Sequence, residues 1–273
     1  MSTFDTLQHA ETDPPESVHA ASSPVTGWPV QAEAPPPQGV VPRQPIGPGM
    51  AITQILLCSG LPTQLLLLYV LALLGIHAPN TTKDWSLGYV ASVLVADSAL
   101  VLGLILFFLH WSGEQPRQVF LGMKSIAWEW SIGIALVPAA FVVIGVINAI
   151  VQRYAPILHQ PENPFQPLVQ TPYGMIIFTS LSILAGGVRE EMQRAFALHR
   201  FTQIGIPYTG LIVFSVIFGL GHIVQGWDAA IMTGSLGALW GYVYLRRGSI
   251  VAPAVCHGAF DAIQVIAFGL LRR

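Results

Sequence analysis

The sequence predicts an all-α, polytopic membrane helix bundle of about seven transmembrane helices behind a disordered N-terminal tail. Three observations predict it. Of the 273 residues, 53% are hydrophobic and only 10% are charged, against about 25% charged residues in a soluble protein. The apolar residues gather into runs long enough for the roughly 30 Å hydrocarbon core of a bilayer. And ten of the 21 prolines crowd the first 49 residues, away from every apolar run.

The tail, 1–49, sets Asp5, Glu11, Asp13, Glu16 and Glu33 against a single basic residue, Arg43. It cannot bury enough apolar surface to offset the entropy of ordering it, and it lacks the basic start and apolar core of a signal peptide. Residues 50–151 hold three predicted helices. The first, 50–76, contains Pro62, a predicted kink. The second, 86–110, carries Asp97 near its middle, where the carboxyl either pairs with a charge of the fourth helix, the favoured reading, or is protonated at neutral pH. The third, 127–151, starts at Trp128 and Trp130, the amphipathic rings that anchor helices at a membrane interface.

Residues 171–271 hold four more. The fourth helix is apolar as far as Gly186-Gly187, a predicted kink. It then carries Arg189, Glu190, Glu191 and Arg194 with no turn signal to take them out of the segment. Each such charge at a helix centre costs roughly 2.5–3.5 kcal/mol, while a Leu returns only about half a kcal/mol. The helix therefore turns its charges to a protein interior or a wet cavity. The fifth helix, 209–226, carries His222. The sixth, 229–245, shows Gly234, Gly237 and Gly241 as a close-packing face. The seventh, 249–271, carries His257 and Asp261. Cys58 and Cys256 lie in apolar segments and read as buried thiols. His77, His110, His159 and His199 fall near helix ends and read as interfacial.

Charge orients the chain weakly. The tail and the turns at 111–126, 200–207 and 246–248 hold more Lys and Arg than the opposite side, which puts the N-terminus in the cytoplasm. A net charge of −2 excludes nucleic acid as an obvious partner, and no nucleotide-binding loop or HExxH pattern occurs.

Depth brings three polar sites together. Glu190 and His222 each lie roughly 22 Å from the 203–208 turn along a straight helix, and His257 and Asp261 lie roughly 15–20 Å from the 246–248 turn. Glu190 with Arg194, and His257 with Asp261, are spaced i,i+4, so each pair shares a face. A glutamate in a low-dielectric pocket can take a proton from water. Histidines can hold that water, bind a metal or donate to an oxyanion. Asp261 can orient His257, and Arg194 can keep one glutamate ionised. This chemistry suits amide hydrolysis by an activated water inside the membrane. The same polar core also suits a non-catalytic scaffold or immunity-type factor, or a transporter that relays protons through its carboxylates.

Glu190-Glu191 with Arg194, then Phe218-x-x-x-His222, then His257-x-x-x-Asp261, resemble the EExxxR, FxxxH and HxxxN/D motifs of the CAAX prenyl endopeptidase and bacteriocin-processing family, which includes the Ras-converting enzyme. The resemblance covers about 170–270 and makes 171–271 the catalytic region. It implies an intramembrane peptidase acting on a membrane-associated peptide or protein, prenylated or not. It implies that Glu190, the first glutamate, is the base, with Glu191 the alternative, and that His222 and His257 serve the water or the oxyanion. Asp261 stands where the family usually has Asn. Only Met192 and Gln193 separate Glu191 from Arg194, one residue fewer than the family pattern, so the assignment of the base rests on Glu190 pairing with Arg194. The resemblance leaves metal dependence open. Glu190, His222 and His257 can ligate Zn²⁺, and a metal-free glutamate mechanism is also proposed for these enzymes.

Overall fold

A computed structural model describes residues 46–271 apart from 78, 80, 82, 83, 161 and 162. The expected disorder of the tail falls almost wholly outside the described residues, as do Lys83, Arg272 and Arg273, which entered the orientation count. Among the described residues the regular elements are all helical.

The first apolar run is two helices, α1 (Pro48–Leu57) and α2 (Leu61–Leu73), bent by 42° at their junction. The predicted kink at Pro62 moves to Gly60, which sits at φ 86°. Pro62 instead lies in the first turn of α2, where its missing N–H costs nothing. A Cβ on Gly60 would stand 2.9 Å from Arg189 Nη2, so the chain breaks where a buried guanidinium passes.

α3 (Leu87–Trp111) starts at Ser86, whose hydroxyl accepts from the Tyr89 amide at 3.2 Å, a standard N-cap. The short α4 (Pro116–Phe120) tucks Phe120 into a core of Val101, Ile105, Leu109, Phe196 and Leu198. α5 (Ile126–Tyr154) runs through Pro138, with Trp128 and Trp130 exposed.

The fourth predicted helix does not break. α6 (Pro172–Ser182) passes into a π-helical stretch, Ile183–Glu190, and on into α7 (Glu191–Gln203), with right-handed helical angles at both junctions. Gly186-Gly187, read as a kink, thus lies in a widened π turn. Such π segments recur at functional sites.

α8 (Pro207–Leu220) ends short of the expected 226. His222 and a 3₁₀ turn follow it before α9 (Trp227–Arg247) and α10 (Val251–Leu271). The glycine face of α9 is real: a Cβ on Gly219 of α8 would lie 3.0 Å from Gly234 Cα, so these two backbones touch. α10 crosses the π stretch just as closely, with Gly258 Cα 3.0 Å from where a Gly187 Cβ would stand.

The bundle is inverted relative to a soluble protein. Val142, Val146 and Ile150 of α5 and Leu65, Leu66 and Leu73 of α2 are exposed, while Glu129, Glu191, Arg194 and Arg200 are at most 1% exposed. That distribution suits hydrocarbon outside and ion pairs within. Among the described residues three helices, α3, α5 and α10, are long and apolar enough to cross a membrane, and the count is four when the bent α1–α2 pair is taken as one span. The expected seven is not reached on length and composition. α8 is a shorter apolar helix, and the charges of 189–194 interrupt the apolar run of 172–203.

Candidate active site

The four charges of the central helix point to three different places. Arg189 donates to Asp97 of α3, whose other oxygen accepts from the Thr63 hydroxyl at 2.8 Å. The partner expected for Asp97 is therefore Arg189. Arg194 donates to Glu191, not to Glu190, which corrects the pairing read from the sequence. The physical reason is that i,i+3 neighbours face each other as well as i,i+4 neighbours do. The shortened spacing still closes an ion pair, but with the second glutamate. Glu190 is left with looser contacts, 3.9 Å from Arg189 Nη1 and 3.9 Å from His257 Nε2.

Glycines let Arg194 lie flat. Its Cδ would be 3.3 Å from a Cβ on Gly241 and its Nη2 3.7 Å from one on Gly237. Its guanidinium carbon sits 4.5 Å from the Phe218 ring centre and 5.6 Å from that of Trp240. Aromatic faces thus substitute for some of the acceptors a buried guanidinium needs. Phe218 and Trp240 hold the cation that holds Glu191.

Glu191 in turn holds His257. His257 Nδ1 lies 2.8 Å from Glu191 Oε1. An ionised carboxylate only accepts, so Nδ1 carries the proton. The imidazole stacks on Trp240 with ring centres 3.8 Å apart. Asp261, expected to orient His257, lies 3.6 Å from its Nε2, beyond hydrogen-bonding range. The orienting residue is Glu191, and Asp261 faces the other nitrogen. Gly186 makes room for both: a Cβ there would stand 2.4 Å from Asp261 Oδ2 and 3.1 Å from His257 Nε2.

His222 sits just beyond the end of α8. Its Nδ1 lies 2.8 Å from the Phe218 carbonyl, which only accepts, so this imidazole too is protonated at Nδ1. A neutral His222 therefore has an acceptor at Nε2.

Glu190, His222, His257 and Asp261 line one cavity of about 340 Å³. Glu191 and Arg194 do not line it; they stand behind His257, each 1% exposed. Trp240, the floor beneath His257, and the amides Asn163, Gln225 and Gln264 that share the wall do not stand out in the sequence. A tryptophan between two glycines, Gly237 and Gly241, was the available signal for the first. No periodicity marks the second.

The donor set does not fit zinc. Among the described residues no three His, Cys, Asp or Glu side chains are arranged to hold a metal ion.

Two further polar clusters lie apart from the cavity. Glu114, in the turn after α3, takes hydrogen bonds from His199 at 2.8 Å, from Gln203 at 2.6 Å and from Arg200, which also donates to Gln54 at 2.7 Å. Burial alone would raise the Glu114 carboxyl, but hydrogen bonds from His199 and Arg200 and the Arg200 charge bring it down to about 2. His159 pairs with Asp228 at 2.8 Å. His159 and His199, read as interfacial, are thus both bound to carboxylates.

No curated protein and no solved structure matches the chain. Residues 171–263, about a third of the chain and the part that contributes Glu190, Glu191, Arg194, His222, His257 and Asp261, match the family model of the type II CAAX prenyl endopeptidase Rce1-like proteins, the family that the three motifs resemble.

Proposed function

We propose that the chain is an intramembrane endopeptidase that hydrolyses a peptide bond of a membrane-associated peptide or protein, with 171–271 as the catalytic region. In this reading the helix of 172–203, α8 and α9 also enter the bilayer. Their charges are held by pairing, and with the bent pair they complete seven crossings.

The observation that carries the reading is the division of labour between the two glutamates. Glu190 opens onto the cavity within 3.9 Å of His257 Nε2, while Glu191 is sealed behind it. Glu190 takes the proton of a cavity water, and the hydroxide so formed adds to the substrate carbonyl. His222, an acceptor at Nε2, holds that water. His257, once protonated at both nitrogens, donates from Nε2 to the oxyanion, steadied by Glu191 and by the Trp240 ring. Glu190 then returns its proton to the leaving amine as the C–N bond breaks. General-base assistance of this kind is worth about 10²–10⁴-fold, and an oxyanion donor about 10²–10³-fold.

The test is Glu190→Gln in purified, reconstituted protein. It is expected to keep its fold and to lose peptide cleavage by about 10²-fold or more. Full cleavage by this variant sinks the reading. A proton-coupled transporter with the same polar core would instead show pH-driven uptake into liposomes.

A further inference from the structure

Arg189 takes no part in the cleavage steps above; the role inferred for it rests on that peptidase reading. It is 8% exposed and does not line the cavity. A guanidinium that serves only to neutralise one carboxylate is well suited to take it with two parallel N–H bonds. Arg189 does not. Its Nη2 alone reaches Asp97, at Oδ2, while Asp97 Oδ1 accepts from the Thr63 hydroxyl at 2.8 Å. Arg189 Nε has no hydrogen-bond partner among the described residues, and Nη1 faces Glu190 Oε1 at 3.9 Å. The guanidinium thus lies between two carboxyls, one on α3 and one at the edge of the cavity.

The scaffold behind Arg189 holds it there. Gly60, at φ 86°, breaks α1 from α2, and a Cβ on it would stand 2.9 Å from Arg189 Nη2 and 3.3 Å from Gln193 Nε2. Gln193 Nε2 donates to the Cys58 carbonyl at 2.7 Å, which ties the helix of 172–203 to the same break. Thr63, in the first turn of α2, fixes Asp97. Helices α1, α2 and α3, all outside residues 171–263, therefore converge on one cation. Arg194 is taken by Glu191, so Arg189 is the guanidinium that faces Glu190. A base that takes a proton from water and returns it must keep one orientation through the cycle, and a cation at this range in a low-dielectric site acts on it strongly.

We propose that Arg189 is a positioning residue for Glu190. Anchored on Asp97 and seated in the α1–α2 break, it holds the Glu190 carboxylate toward the cavity and supplies its counter-charge. Asp97 and the first two helices then serve the reaction as well as the fold.

Two variants separate this role from a plain structural pair, with kcat, KM and melting temperature measured on the reconstituted full-length protein. Arg189→Met combined with Asp97→Leu removes both charges, and a buried pair replaced by apolar residues of similar size often keeps its stability. Thr63 retains an acceptor in the Gly60 carbonyl, at 2.8 Å. Arg189→Lys keeps a cation for Asp97 but has one nitrogen in place of the fork. Both variants are expected to melt close to wild type and to lose kcat by about 10–100-fold. KM should stay within about twofold, because Arg189 does not touch the cavity. Wild-type kcat in either variant overturns the inference, and so does a loss carried by KM alone. Unfolding of both variants also overturns it, since the pair would then be structural. In each of these cases cleavage by the wild type leaves the peptidase reading standing. If the wild type itself does not cleave, that reading falls, and this inference with it.

Discussion

Glu190 and Glu191 are adjacent in sequence and unlike in environment. Glu191 accepts from Arg194 and from His257 at a site 1% exposed. Removing one partner of such a buried pair costs about 3–5 kcal/mol. Glu191→Gln is therefore expected to lower the melting temperature in detergent markedly, while Glu190→Gln leaves it nearly unchanged. Equal shifts for the two would contradict the division between them. Glu114 offers a pH test outside the membrane helices. Its carboxyl lies lower in the folded chain, at about 2, than its ordinary 4.5. Its stabilisation is therefore complete above about pH 4.5 and fades as pH falls toward 2. The stability gap between wild type and Glu114→Gln, followed by thermal unfolding, should be constant from pH 8 to 5 and close below that. At this scale the sequence revealed which residues gather at one cavity better than which ones touch. Residue type and depth pointed to Glu190, His222, His257 and Asp261. The Glu191–Arg194 pairing was hidden, because i,i+3 and i,i+4 are both open to an arginine and only the packing of Phe218, Trp240 and the α9 glycines decides between them.

Among the elements, the π stretch Ile183–Glu190 has the largest consequence. It brings Gly186 and Gly187 against α10: a Cβ on Gly186 would run into Asp261 and His257, and one on Gly187 would press on the backbone at Ala254 and Gly258. Gly186→Ala is expected to lower activity by about 10–100-fold, through misplacement of the cavity groups, and to cost about 1–3 kcal/mol in stability. Gly103→Ala is the control. Nothing lies within 4 Å of a Cβ there, so it should be neutral or slightly stabilising. Cleavage assays and melting curves on the pair separate steric intrusion from a general effect of losing glycine. The helix boundaries were mostly legible from apolar runs: 86–110 and 127–151 correspond to α3 and α5 within a few residues. The π stretch was not, because nothing in residue type separates a π turn from an α turn. The break at Gly60 was misplaced to Pro62 for a related reason: the guanidinium that requires it comes from Arg189, far along the chain.

For the molecule as a whole, composition told the class, while length and hydropathy mark three helices and one bent pair as candidate crossings. α3, α5 and α10 announce themselves by hydropathy. The helix of 172–203 does not, because hydropathy counts its charges as bare, although Arg189 pairs with Asp97 of α3 and Glu191 with Arg194 of the same helix. The same burial gives a probe of global unfolding. Cys58 and Cys256 are 2% and 0% exposed and lie in different parts of the bundle. Neither should react with a maleimide while the protein is folded, and both should react together on unfolding, as mass spectrometry of the labelled protein would show. Rapid labelling of one alone would mean that its region opens by itself.

The ion pairs also impose a timetable on synthesis. Asp97 leaves the ribosome before the charged helix, so Arg189 meets its partner early. His257 and Asp261 come last. At about 5–20 residues per second the stretch 204–261 takes roughly 3–12 s to make. For those seconds the nascent chain has its most polar helix half neutralised at the translocon, with Glu191 and Arg194 paired but not yet covered by α10. In the proposed topology, maturation of this protein thus depends on holding an unfinished helix at the edge of the bilayer until its final segment arrives.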